Sequence, residues 1–210
     1  MLTKTTKSLF KGTYQYKIVL VCSIASAFRS GDMESTLEQL KKTTLTSKDV
    51  YRSLYQPQPK TQEQLDYAFK LQHQIKKLKN IEVRVETPYI SVYTNLKSDI
   101  DSLIKIDKDK VKYISIPVDG NILVKDTVIM PKIPFEFRIT LGKTIQNHSA
   151  FVEWAETTQK LKLTKSCKRD LLKDRSWGGT HFYVTGDNVL LMTKMHLGGS
   201  INKIERVVKA

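Results

Sequence analysis

Apolar residues recur along this chain in two different periods, always in short runs, and this restricts it to small strands and helices in alternation. Ile81-Glu-Val-Arg-Val-Glu86 and Phe135-Glu-Phe-Arg-Ile-Thr-Leu141 alternate apolar with polar, the period of a half-buried strand. Residues 89–93 repeat the pattern after Pro88, and residues 14–24 are rich in Tyr, Val and Ile, as in a buried strand. Leu65, Ala68, Phe69, Gln72, Ile75 and Leu78 instead return at helical spacing. They follow Thr61-Gln-Glu-Gln64, a capping box in which the Thr61 side chain accepts from the third amide and Gln64 reaches back. A helix over residues 61–79 is expected, with Lys70, Gln74 and Lys77 on its solvent face and Tyr67 and Leu71 as spare apolar residues.

Shorter helices are expected at residues 33–42 (Met33, Leu37 and Leu40 inward), 98–106, 149–156 (capped by Ser149) and 166–173. The strand at 89–93, the helix at 98–106 and a strand at 110–116 have the size of a crossover unit, so those strands should run parallel. A short strand is expected at 127–130. Residues 181–185 and 189–195 flank Gly186-Asp-Asn188 and read as a C-terminal β-hairpin. The expected class is α+β, a mixed β-sheet with several short helices and one longer amphipathic helix.

The Gln56-Pro-Gln-Pro-Lys60 stretch reads as an extended linker, because each proline disfavours a helical predecessor. It suggests a division into residues 1–56, a basic N-terminal arm plus a strand–helix region, and a larger α+β region over 61–210, or else one continuous domain. The arm, residues 1–13, carries Lys4, Lys7 and Lys11 and no acid. No apolar run approaches the ~18 residues of a membrane helix, so no transmembrane segment is expected. The run at 18–22 is also too short for a secretory signal.

Two distant cysteines make no disulfide framework, which points to a reducing compartment: the cytoplasm, or the inside of a viral or nucleoprotein particle. Cys22 reads as a core residue. Cys167 lies among Lys165, Lys168 and Arg169, which would acidify its thiol, and reads as half-exposed.

Function is constrained mainly by charge. The chain has 35 Lys+Arg against 21 Asp+Glu, a formal +14, as expected of a partner of polyanions. The excess is even: 17 cations against 10 anions up to residue 105, and 18 against 11 beyond it. The densest local candidate joins Lys160, Lys162, Lys165, Lys168, Arg169, Lys173 and Arg175 to the aromatic residues Trp177, Phe182 and Tyr183. Lys and Arg neutralise phosphates, and aromatic faces stack unpaired bases. The expected function is therefore non-catalytic binding of RNA or single-stranded DNA, with Trp177 and Tyr183 as stacking residues.

A structural or assembly subunit of a nucleoprotein or viral particle, holding an acidic protein subunit, is the alternative, and a homo-oligomer stays open. Arg29, Ser30 and Gly31 form a weaker phosphate-binding candidate between a strand and a helix, without Walker or GxGxxG spacing. A metal-dependent nuclease is a third reading, through carboxylates such as Asp107, Asp109 and Glu136. The four histidines are dispersed, no Gly-x-Ser-x-Gly is present, and no spacing suggests zinc, so no catalytic residue, metal or cofactor is assigned.

Overall fold

In the computed structural model, which describes residues 2–29, 33–46 and 61–209, the chain is α+β. The described residues form two five-stranded mixed sheets and six α-helices, in two compact units, residues 1–122 and 123–210. No described helix is long and apolar enough to cross a membrane.

The first unit contains β1 (Leu2–Thr6), β2 (Tyr16–Val21), α1 (Met33–Thr46), α2 (Gln62–Lys77), β3 (Glu82–Glu86), β4 (Tyr89–Thr94), α3 (Lys97–Ile104) and β5 (Val111–Pro117). Its sheet order is β1-β5-β2-β4-β3. Strict alternation sends Ile18, Leu20, Ile90 and Val92 to one face, where they meet Leu37, Leu65, Leu71, Ile75, Ile100 and Leu103 from the helices. The Thr61 hydroxyl accepts from the Gln64 amide and starts α2 where the sequence pattern placed it. Tyr67 and Leu71, read as spare, are buried, because the apolar stripe of α2 is wider than one row.

Three other expectations change in this unit. The N-terminal arm is β1, paired parallel to β5; four of its five residues are exposed, as an edge strand with a lysine tolerates. The β4 and β5 strands do run parallel, but β2 lies between them and pairs antiparallel with both. The 56–61 division falls inside this unit, whose sheet takes strands from both sides of it; residues 56–60 themselves lie outside the described residues.

The second unit contains β6 (Thr127–Ile129), β7 (Phe137–Leu141), α4 (Ser149–Thr157), β8 (Leu161–Leu163), α5 (Lys165–Leu171), β9 (His181–Val184), α6 (Asp187–Leu197) and β10 (Ile201–Val208), with sheet order β6-β10-β7-β9-β8. Ile139, Leu141, Phe182 and Val184 bury against Phe151, Val152, Cys167, Leu171 and Leu197. The terminal β-structure is supplied by β9 and β10, both antiparallel to β7. Residues 189–195, read as a hairpin arm, are helical: Val189, Leu190, Thr193 and Leu197 follow a helical period, and Thr193 and Leu197 are its buried residues. Ser149 is the first residue of α4 rather than its cap, and its amide donates to Asn147 Oδ1 at 2.8 Å.

Candidate nucleic-acid interface

The basic segment of the second unit is fastened from beneath. Thr164 caps α5, accepting from the Cys167 amide at 3.2 Å and donating to the His181 carbonyl at 2.7 Å. Cys167 and Leu171, one helical turn apart, enter the core, so Lys165 and Arg169, spaced in the same way, face solvent. Lys160 and Lys162 are exposed before and on β8, and Arg175 is exposed after α5. Lys168 pairs with Glu156 at the surface, and the exposed Lys173 ammonium with the largely buried Asp170 carboxylate at 3.4 Å. An exposed pair such as Lys168–Glu156 contributes about 0–1 kcal/mol, so a phosphate can take Lys168 at small cost.

Cys167 is fully buried, and burial pushes its thiol up to about 12. The half-exposed, acidified thiol expected from its basic neighbours is corrected: those side chains point outward while Cys167 points inward.

Trp177 is the outlier of the segment, at 87% exposed. The Lys143 ammonium stands 5.0 Å from its ring centroid, a neighbour that sequence distance concealed. The Trp177-Gly-Gly-Thr180 turn is bound on both sides. Thr144 and Ser176 exchange backbone hydrogen bonds at 3.0 Å, Gly179 donates to the Leu141 carbonyl at 2.8 Å, and Leu141 donates to the Thr180 carbonyl at 2.8 Å. Gly178 has φ +76° and lies against the Gly142 backbone, closer than any side chain allows.

Tyr183 stands apart from this exposed set. It is 7% exposed, packs against Phe135 at 6.0 Å and His181 at 5.5 Å, and lies across the strands from Arg138 and Lys162. Of the two proposed stacking residues, only Trp177 presents its ring. His181 adds no charge at neutral pH, because burial and then the Arg138 guanidinium lower its pKa. Arg138 is held by Glu205, which is fully buried and also accepts from Lys203 at 2.7 Å.

The other sequence candidates sit elsewhere. Arg29 directs its guanidinium to the Val85 carbonyl at 3.5 Å and the Thr87 hydroxyl at 3.4 Å, while Ser30 and Gly31 lie outside the described residues. Asp107 accepts from the Asp109 amide at 2.9 Å, and Glu136 accepts from the Gly186 amide at 3.0 Å, in different units. Among the described residues, no group of three or more His, Cys, Asp or Glu is placed to hold a metal. No protein-family model, curated protein or solved structure matches this chain.

Proposed function

We propose that this chain binds RNA or single-stranded DNA without catalysis, through the basic surface around α5 and the Trp177 ring. The observation that carries the reading is Trp177 itself: a large aromatic face left in water, on a turn tied down by backbone hydrogen bonds, with Lys143 beside it. An exposed tryptophan has no packing role to repay its hydration, whereas base stacking on an aromatic ring is worth about 1–3 kcal/mol per base.

Titration with fluorescently labelled oligo(U) and oligo(dT) across a salt series tests it, with anisotropy as the signal for every variant and tryptophan fluorescence as a second signal in the parent. Binding should quench Trp177, and Trp177→Ala should weaken it by about 1–3 kcal/mol. Reversing Lys165 and Arg169 to Glu should reduce the log–log salt slope by about 0.7 for each phosphate that is no longer neutralised. Unchanged affinity and slope in these variants, with the protein folded, refutes the reading.

A second reading has its own observation. Ile145 and Met195, 85% and 71% exposed, line a cleft of about 500 Å³ with Lys143 and His196. Exposed apolar residues beside the Lys143 ammonium fit an acidic protein subunit or a further copy of the chain, as in an assembly protein. A native mass showing an oligomer that Met195→Glu dissociates would favour that reading.

A further inference from the structure

Helices pack on one face of the first unit's sheet; on the other face the middle of the sheet (Val19, Ser91, Ser115 and Tyr93) is buried, while the flanking lysines and Tyr89 and Tyr113 keep exposed surface. Alternation puts Lys4, Lys17 and Tyr93 in one cross-strand row of that second face, with Tyr113 and Arg84 in the next and Tyr89 in a third. The cations here do not follow the usual pattern of surface lysines. Lys11 pairs with Glu82 and Arg84 with Glu86. Lys4, Lys17 and Lys112 have no carboxylate partner among the described residues and stand over tyrosine rings instead. Lys112 Nζ lies 3.5 Å from the Tyr89 centroid and Lys4 Nζ 4.0 Å from that of Tyr113; Lys17 Nζ lies 5.5 Å from both Tyr113 and Tyr93.

We infer that this face is a stacking platform for a single-stranded polynucleotide, distinct from the Trp177 surface. Tyr93 is its fixed element, 5% exposed under Phe10 and Tyr14, whose rings lie 5.8 Å and 6.2 Å away. Tyr89 and Tyr113 are half-buried on the sheet, and the flexible ends of Lys112 and Lys4 stand over their rings. An exposed ammonium–ring contact is weak, about 0.5–1 kcal/mol. An arriving nucleotide can therefore exchange it for two contacts, with its phosphate taking the ammonium and its unpaired base taking the ring. A duplex offers the phosphates but hides its base faces, and an acidic polypeptide offers charge but no plane to stack, so single strands match both halves of the surface.

The proposal shares its ligand class with the reading above but none of its residues, so the two fail separately. The test uses the full chain with oligo(U) and oligo(dT), ultraviolet crosslinking read by mass spectrometry, and Trp177 quenching as the independent report on the other surface. Crosslinks are expected on peptides carrying Tyr89 or Tyr113. Tyr113→Leu should weaken binding about tenfold while Tyr113→Phe keeps it. Lys112→Glu and Lys4→Glu should each lower the salt slope by about 0.7, with quenching of Trp177 still seen at saturation. The two lysine positions are exposed, so they carry the test even if Tyr113→Leu does not fold. Crosslinks confined to residues 123–210, or unchanged affinity and slope in Lys112→Glu and Lys4→Glu, overturn the proposal. So does a surface where poly-glutamate competes as well as oligonucleotide and Tyr113→Leu changes nothing.

Discussion

Gly178 and Gly179 offer a controlled perturbation of the turn that presents Trp177. Both have positive φ, +76° and +87°, so alanine at either position meets the left-handed penalty, about 1–2 kcal/mol. They differ in space. At Gly179 a new Cβ meets nothing within 4 Å, whereas at Gly178 it would fall 2.3 Å from the Gly142 carbonyl carbon and oxygen. Those are backbone atoms, and they are not free to retreat. Gly142 donates to the Ser200 carbonyl at 2.8 Å, and neighbouring Leu141 both donates to Thr180 and accepts from Gly179 at 2.8 Å. Relief of the clash must stretch at least one such bond, about 1 kcal/mol, on top of an overpacking cost of about 1–3 kcal/mol.

Gly179→Ala should therefore cost about 1–2 kcal/mol and Gly178→Ala about 3–6 kcal/mol. For a unit of this size each kcal/mol is roughly 4–8 °C in Tm, so Gly178→Ala should melt roughly 10 °C or more below Gly179→Ala. Both tryptophans, Trp154 and Trp177, belong to residues 123–210, so tryptophan fluorescence follows this unit by itself. Equal melting of the two variants refutes the packing argument and, with it, the claim that the turn is held rather than loose.

Two further outcomes follow from buried titratable groups. Burial pushes Cys22 up to about 11 and Cys167 up to about 12, so thiolate is scarce near neutrality, and iodoacetamide should label both slowly in native protein and quickly in guanidinium; Cys167 labelling at the same rate in both conditions contradicts its placement. His148 and His181 are lowered, chiefly by burial, so the unfolded chain takes up these protons first as pH falls. Their contribution to stability is complete above the ordinary histidine pKa of about 6.5 and is lost as pH falls from there toward the lowered values, by at most about 1.4 kcal/mol per pH unit each and less after solvent screening. Urea midpoints at pH 8 and pH 5.5 should show a smaller acid loss in the His148→Gln, His181→Gln double variant than in the parent, and an identical loss would count against these two residues.

What could be read in the sequence was what is encoded locally. The α2 helix announces itself because its cap, its stripe and its basic last turn all lie within one continuous stretch. The β1 strand does not, since an exposed edge strand needs no apolar alternation, and its partner β5 lies more than a hundred positions away. Residues 189–195 misled because nearly unbroken apolar residues fit either period, and only packing of Thr193 and Leu197 into the core selects the helix. Alternation in 89–93 separates Tyr89 and Tyr93 from Ile90 and Val92, but insertion of β2 between β4 and β5, which brings Lys17 between Tyr93 and Tyr113, is long-range and leaves no local trace. The pairing of Trp177 with Lys143 was hidden for the same reason.

Charge has an analogous limit, and it decides which variants are informative. Each unit has an excess of seven positive charges, 20 Lys+Arg against 13 Asp+Glu in residues 1–122 and 15 against 8 in residues 123–210. Any reversal of a lysine lowers the field felt by a polyanion, whether or not that lysine touches it, so charge variants report direct phosphate binding only through a localised drop in slope. Ring variants hold the charge constant. Trp177→Ala and Tyr113→Leu should lower affinity for single strands while leaving the salt slope near its parental value, because stacking releases no counterions. Lys165→Glu and Lys112→Glu should do the reverse to the slope. If the ring variants bind as tightly as the parent while every lysine reversal weakens binding alike, the +14 excess acts as a diffuse field and neither aromatic surface is a binding site.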